Sequence, residues 1–524
     1  MEGASDAQPK ERSATDRYCS TASLGAEADN VQFNGTGHFY ISPTRSYIVT
    51  FILFLINLLN YMDRFIIAGV LGDIQDYFKI NDTLAGLLQT VFICSYMILA
   101  PLFGYLGDRY NRKMLMSIGI LIWCGLTLAG SFTTQSNFWA LVLCRALVGI
   151  GEASYSTIAP TIIADLFVGD KRTIMISIFY IAIPVGSGLG YMLGSGVMKL
   201  SGDWHWSMRV TPCVGFLVLL FLIFFVPDPP RGASEDHTDS PSSRTSWRED
   251  LKCLCTNRSF VLSSFGTATV SFTTGALGFW APIFLLRARD INGFTEHTSS
   301  SSYDSLIFGA ITCVTGVLGI GIGAMTSKYL KKIPHADPLI CAVGMLSSSP
   351  CLFIAIVLAK HCIALTYFFI FLAEIFLALN WAIVADILLY IIIPTRRSMA
   401  EAVQITICHV LGDASSSYII GAISDTIQRS QPTSSYWRFV SLEYAFLLCP
   451  FIAVVGGALF LWTASYLEED RKKASQQIQD PADVTCAQRT QDSIVKQTAE
   501  VLNKPIRAAG PKEDHFVIGC NINQ

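Results

Sequence analysis

Gly104-Tyr-Leu-Gly-Asp108-Arg109-Tyr-Asn-Arg112-Lys113 fills a short polar gap between two long apolar segments. One acid stands among three cations at what reads as a membrane edge, the composition of a charge latch between helix ends. The frame recurs as Gly323-Ala-Met-Thr-Ser327-Lys328-Tyr-Leu-Lys331-Lys332, with serine in place of the acid. A second echo pairs Ile163-Ala-Asp165-Leu166 with Val384-Ala-Asp386-Ile387. Both echoes fall about 220 residues apart, so a duplicated membrane unit explains them better than coincidence.

Composition supports a membrane chain. Hydrophobic residues make up 52% and charged residues 15% of 524, too few charges for a solvated surface of that length. The charges cluster in gaps between apolar runs of roughly 20 residues or more, enough to cross a bilayer as helix. The net charge of −3 carries no nucleic-acid footprint. The 15 cysteines are scattered, several inside apolar runs (Cys94, Cys124, Cys144), and read as small buried residues rather than a disulfide framework. The close pair Cys253-Leu-Cys255 has no histidine near it to complete a metal site.

The pattern predicts an all-α integral membrane protein of twelve spans in two six-helix halves. The first six lie near 47–72, 84–106, 114–133, 138–167, 172–198 and 207–226. The second six lie near 259–286, 304–327, 337–358, 363–391, 398–424 and 437–466. In domain terms these are a disordered tail over 1–45, a half over 46–227, a linker over 228–258, a half over 259–467 and a tail over 468–524. Prolines in Pro227-Asp-Pro229-Pro230 stop the sixth span, and a Ser/Thr-rich linker follows. The first tail lacks the apolar core of a cleavable signal peptide.

Lysine and arginine set the orientation. With a cytosolic amino terminus, the inward gaps hold Arg109, Arg112, Lys113, Lys171, Arg172, the linker bases, Lys328, Lys331, Lys332, Arg396 and Arg397. Against these fifteen, the outward gaps hold six, Lys79, Lys199, Arg287, Arg289, Lys360 and Arg429, or eight with Arg209 and Arg438 at outward span edges. Both termini and the linker are therefore expected in the cytosol. Asn81-Asp-Thr83 becomes an outward glycosylation acceptor sequence. Neither tail carries an acidic dileucine signal, which tilts the expectation to the plasma membrane over lysosomes.

Charges inside spans point to function, since each costs several kcal/mol unless it is paired or faces water. Span 1 carries Asp63-Arg64; at 100° per residue Asn57, Asn60 and Arg64 share one stripe and Asp63 points away. Span 4 carries Arg145 and Glu152 on one face, span 10 carries Glu374, and span 11 carries His409 and Asp413 one turn apart. Structural ion pairs between helices are the plain alternative. Asp165 and Asp386, near cytosolic helix ends, suit pairing with local bases. In the latch, Asp108 can reach bases or a helix amino terminus nearby, with Gly104, Arg109, Arg112 and Lys113 around it. Asn111 occupies a turn position where a positive φ is expected. Span 5 carries Pro184, Gly186, Gly188, Gly190 and Gly194, suited to close helix contact or to bending.

The loop motif resembles the signature of the major facilitator superfamily. Asn60-Tyr-Met-Asp-Arg64, Gly149-Ile-Gly-Glu-Ala-Ser-Tyr-Ser-Thr-Ile-Ala-Pro160, Ile183-Pro-Val-Gly-Ser-Gly-Leu-Gly-Tyr191 and Gly202-Asp-Trp-His-Trp206 are similar to spinster proteins. The resemblance covers about residues 45–466 and implies the major facilitator fold and lipid transport, of lysophospholipids or of sphingosine-1-phosphate. It implies proton-linked or gating roles for Asp63, Arg64 and Glu152, and cavity or substrate roles for Arg145 and His409. One departure stands out: relatives commonly read Gly-Asp-Ala-Gly-Ser-Pro in span 11, and this chain reads Gly412-Asp-Ala-Ser415-Ser-Ser417. The loss of a glycine and a proline removes a ready bend.

The function expected is a transporter of amphiphilic lipids by alternating access, acting as a monomer, with the bilayer and a lipid as partners and no cofactor beyond a proton. Arg64, Arg145 and protonated His409 can meet a phosphate, and Glu152 stands beside that headgroup site. His409, Asp413, Asp63, Arg64 and Glu152 are the proton and gating candidates. Phe92, Tyr96, Phe179, Tyr180 and Phe279 can line an apolar slot, although packing uses such residues more often. No Walker-type phosphate loop is present, which argues against an ATP-driven pump. His409-x-x-x-Asp413 lacks a nucleophile, which argues against an enzyme. A facilitator of small polar solutes and a lipid-binding receptor remain the alternatives.

Overall fold

The computed structural model describes residues 32–33, 39–40, 42–168, 170–227, 247–292, 300–330, 333, 335–393 and 396–479. Most of the expected tails and the linker up to residue 246 lie outside the described residues. A two-residue antiparallel pairing of β1 (Gln32–Phe33) with β2 (Phe39–Tyr40) precedes the helices. Then follow α1 (Pro43–Gly69), α2 (Leu71–Phe78), α3 (Asp82–Arg109), α4 (Arg112–Gly130), α5 (Phe138–Leu166), α6 (Asp170–Ser201) and α7 (Trp204–Phe225). The remainder comprises α8 (Trp247–Thr256), α9 (Arg258–Ile291), α10 (Ser300–Leu330), α11 (Ala336–Leu358), α12 (Ile363–Ala378), α13 (Asn380–Ile391), α14 (Arg397–Leu411), α15 (Asp413–Gln428), α16 (Ser435–Phe446) and α17 (Leu448–Gln479).

Eleven stretches among the described residues are long and apolar enough to cross a membrane. Two of them are helix pairs, α12 with α13 and α16 with α17. The remaining expected span, near 398–424, is divided between α14 and α15, neither long enough alone. The break falls at Gly412, whose φ of −96° and ψ of −111° leave the helical region. The bend therefore survives the loss of the downstream glycine and proline. A Cβ at Gly412 would meet the Cys408 carbonyl at 2.1 Å, so only glycine fits there.

Local sequence explains where the helices start. Ser42, Asn111, Asp203, Asn257 and Ser434 each accept a hydrogen bond from a backbone N–H in the following first turn. Pro43 sits at the first helical position, where no N–H is needed. Asn111 corrects an expectation: its φ is −58°, and its carboxamide takes the Met114 N–H at 2.8 Å. It serves as a cap rather than a left-handed turn. Arg287 and Arg289 also depart from expectation. They lie inside α9, which runs on past the predicted end of span 7 at residue 286.

The helices form two units. One comprises 1–74 and 95–237, the other 75–94 and 238–524, so α3 is divided between them. In the first unit α6 lies against α1 at backbone distance. A Cβ at Gly186, Gly190 or Gly194 would come within 2.7, 2.5 and 2.9 Å of the carbonyls of Leu58, Met62 and Ile66. Glycines one turn apart on α6 thus meet carbonyls one turn apart on α1, the small-residue packing that lets membrane helices touch. Two of these contacts on α1, Met62 and Ile66, lie within three residues of Asp63 and within two of Arg64. In the second unit α3 meets α15 equally closely: a Cβ at Gly86 would lie 2.2 Å from the Ser417 carbonyl, and one at Gly421 2.4 Å from that of Asp82. Trp280 of α9 donates to the Ser417 carbonyl at 3.0 Å, and Phe284 stacks on Phe439 and Phe446.

Candidate functional site

Asp63 and Arg64 are neighbours on α1 and point to different partners, as a 100° step requires. The Asp63 carboxylate accepts from Trp123 Nε1 at 3.0 Å, Thr127 Oγ1 at 3.2 Å and Thr211 Oγ1 at 2.8 Å. It also faces Arg145 at 3.7 Å. Arg64 faces Glu152 at 3.8 Å. The two residues of α5, two turns apart, thus meet the two adjacent residues of α1 in crossed charge order. All four are buried, Arg145 to 1% exposure. Both ion pairs, at 3.8 and 3.7 Å, are longer than a hydrogen bond.

The rest of the unit frames this cluster. Asn57 donates to the Phe179 carbonyl at 3.0 Å, which places its stripe of α1 against α6. Tyr61 and Phe65 lie 5.9 and 6.0 Å from the Arg64 guanidinium. Of the aromatics expected to line a slot, Phe179 of this unit is buried at 2% exposure and Tyr180 is exposed, while Phe92 and Phe279, which belong to the other unit, are each buried at 1%. Tyr96 is half-buried and meets Ser156 at 3.4 Å.

His409 and Asp413 form a separate pair in the second unit, Nδ1 to Oδ1 at 2.9 Å, across the break at Gly412. Asp413 also packs on Gly275 of α9, where a Cβ would lie 2.5 Å from that of Asp413. The pair therefore straddles a backbone break and a helix contact.

At the loop motif, Arg112 is buried and pairs with Asp165, so the echoed acid of α5 holds the base of α4. Arg109 is exposed over the Tyr105 ring at 4.3 Å, Lys113 is half-buried, and Gly104 faces open space. The Asp108 side chain lies outside the described residues. In the second copy Ser327, which replaces the acid, donates to Asp337 at 2.6 Å. A carboxylate is thus restored from α11.

One cluster was not legible as a site. Asp82, at the start of α3, is gripped by Arg287 of α9 and also takes hydrogen bonds from Gln75 and Ser424. Asp425 of α15 accepts the backbone N–H groups of Asp82 and Thr83 at 3.1 and 2.8 Å, capping α3 from another helix. The Thr83 hydroxyl also donates to Asp425, so the glycosylation acceptor sequence is built into this contact, with Asn81 capping Leu84. A recess of 420 Å³ borders the network, lined in part by Lys79, Arg429 and Arg438.

The family model of the Major Facilitator Superfamily matches residues 53–414. Protein spinster homolog 3 of Danio rerio is 57% identical over 466 residues, covering 88% of this chain and 93% of its own length. The sphingosine-1-phosphate transporter SPNS2 of Danio rerio is 53% identical over 426 residues, covering 80% and 84%. A solved bacterial homolog of the human lysosomal transporter Spinster, in an inward-facing and unoccupied conformation, superposes with a TM-score of 0.72 at 21% identity. That match covers 82% of this chain and 99% of the bacterial one.

Proposed function

The chain belongs to the spinster family of the Major Facilitator Superfamily, a family of membrane transporters and not of enzymes, and from that membership we propose that it carries amphiphilic lipids by alternating access. The substrate class we favour is a single-chain lipid with an anionic phosphate head, a sphingosine-1-phosphate or a lysophospholipid. The observation that carries this reading is the buried cluster of Arg64, Arg145, Asp63 and Glu152. Two buried guanidiniums, each facing a carboxylate at ion-pair distance, offer a phosphate the paired N–H donors it accepts best. The transport named for the Danio rerio SPNS2 relative supports the same class.

His409 and Asp413 serve as a second gating pair, hydrogen-bonded to each other across the break at Gly412. Arg112 with Asp165 is the cytosolic latch of the first unit, Asp108 being its acid in the loop. The multi-pass chain is oriented with both termini in the cytosol and acts at the plasma membrane. Mass spectrometry of lipids released by cells with and without the protein tests the substrate class. Release of phosphate-bearing single-chain lipids is expected; an unchanged lipid profile with altered uptake of small polar solutes would replace this reading with that of a polar-solute facilitator.

A further inference from the structure

Glu374 stands on α12, 11 residues after its first residue Ile363. At about 1.5 Å per residue it lies roughly 16 Å along the helix, near the middle of a hydrocarbon core about 30 Å thick. Its side chain is half-buried against α10. There Thr312 Oγ1 lies 3.3 Å from Oε1 and Thr315 Oγ1 2.7 Å from Oε2. One turn further along the pair of helices, a Cβ at Gly319 would meet Ala378 Cβ at 2.5 Å and the Ile375 carbonyl at 2.9 Å. The two helices are thus in close contact one turn from the carboxyl group.

The hydrogens around Glu374 do not suffice for a carboxylate. Thr315 Oγ1 also lies 2.8 Å from the Ile311 carbonyl, and Thr312 Oγ1 3.0 Å from the Phe308 carbonyl. Each hydroxyl has one hydrogen. If Glu374 is ionised, two hydrogens face two carbonyls and two carboxylate oxygens. If Oε2 carries a proton, it donates to Thr315 Oγ1, and that hydroxyl passes its own hydrogen to Ile311. The protonated acid completes the chain.

No counter-charge faces the group among the described residues, where its partners are the two threonines. On the packed elements the charged side chains are placed elsewhere. Asp304 of α10 is held by Arg289 of α9 and by Tyr367, and Tyr367 stands seven residues before Glu374, about 10 Å along α12. Arg287 of α9 is held by Asp82. Lys328 lies in the last turn of α10 and Asp337 in the first turn of α11. Asp386 and Tyr390 of α13 lie three or more turns beyond Glu374. Cys313, Cys341 and Cys351 on α10 and α11 are free cysteines. An ionised carboxylate here would be unpaired at membrane depth, where each such group is costly.

We propose that Glu374, clamped between Thr312 and Thr315, is a proton-binding site of the second unit, and that its proton holds α10 against α12. The proton is taken from water and returned to it. Its loss leaves a charge without a cation and loosens the α10–α12 contact, so protonation and helix packing are linked in this unit. Glu374 is a member of neither the Arg64–Glu152 and Arg145–Asp63 pairs nor the His409–Asp413 pair.

The test is infrared difference spectroscopy of the full-length protein in lipid nanodiscs, with wild type and Glu374→Gln compared as pH is raised. Glutamine keeps the shape and the donor of the neutral acid. The expected result is a carboxylic-acid carbonyl band near neutral pH in wild type that vanishes as pH rises and is missing from Glu374→Gln. Wild type should also lose thermal stability at high pH while Glu374→Gln does not. Should glutamine fail to assemble, Glu374→Met supplies the spectroscopic subtraction. A wild-type spectrum without that band, or a band that persists in the variant, overturns the proposal, as does an unchanged pH dependence of stability. None of these readings uses a lipid substrate, so they stand or fall apart from the proposed transport.

Discussion

Arg287 holds both carboxylate oxygens of Asp82, its Nη2 at 2.6 Å from Oδ1 and its Nη1 at 2.9 Å from Oδ2. Both side chains are buried, and Gln75, Ser424 and the Asp425 cap complete the hydrogen bonding. This is the geometry in which a buried ion pair is satisfied on every side, and in which removal of one member is most damaging.

Arg287→Ala is therefore expected to destabilise the second unit by about 3–5 kcal/mol, because Asp82 is left charged without a cation. Arg287→Lys should recover part of the loss, since an ammonium restores charge without the planar fork. Denaturant unfolding in detergent micelles measures both. Equal stability of Arg287→Ala and wild type would show that the pair contributes nothing net.

The glycines of α6 give a paired prediction. Gly190→Ala places a methyl 2.5 Å from the Met62 carbonyl, against backbone that cannot yield cheaply. It should cost about 1–3 kcal/mol by overpacking. Gly196→Ala, on the same helix with open space around it, should be neutral or stabilising, since alanine favours helix. Thermal melts of the two variants check this; similar melting would remove close packing of α6 on α1 as the reason for the glycines.

Arg112 and Asp165 form an ion pair beside the loop motif, the pair on which the proposed latch rests. A double-mutant cycle on Arg112→Ala and Asp165→Ala should return a coupling of about 1.5–3 kcal/mol, that of a charged hydrogen bond. Asp108→Ala should leave stability nearly unchanged while slowing transport, because a latch matters to the cycle more than to the fold. Additive single effects would make Arg112 and Asp165 independent anchors.

Much of this was visible in the chain before any coordinates. A charge inside an apolar run announces itself, so Asp63, Arg64, Arg145 and Glu152 stood out, and a spacing of seven put the last two on one face. Which acid meets which arginine was not legible: Asp63 with Arg145 and Arg64 with Glu152 emerge only from the way α1 packs on α5. Asp82, Arg287 and Asp425 were hidden for the opposite reason. Each lies at the end of an apolar run, where charge is ordinary, and their separations of 205 and 343 residues leave no periodic signal. Asn111 looked like a turn residue because caps and turns use the same side chains. The break at Gly412 was masked by the changed residues after it, although the glycine that makes it was present. Glu374 was seen as a buried acid, but threonines in an apolar helix read as packing, and its two partners on α10 gave no hint of their direction.

Headgroup recognition separates the four-residue cluster from a set of structural ion pairs. Arg64→Ala and Arg145→Ala should each weaken handling of a phosphate-bearing lysolipid roughly tenfold or more, as lost charged hydrogen bonds imply. A neutral analogue with the same tail should be affected much less. Competition between the two lipids in wild type and variant vesicles reads the difference. Equal losses for both would assign the arginines to the fold.

The most direct measurement is flux of a labelled phosphate-bearing single-chain lipid across proteoliposomes, with the recovered lipid analysed by mass. The account predicts saturable movement of chemically unchanged lipid that empty vesicles lack and that Arg145→Ala reduces. Lipid that binds without crossing, or that crosses at the same rate in vesicles without protein, would contradict it.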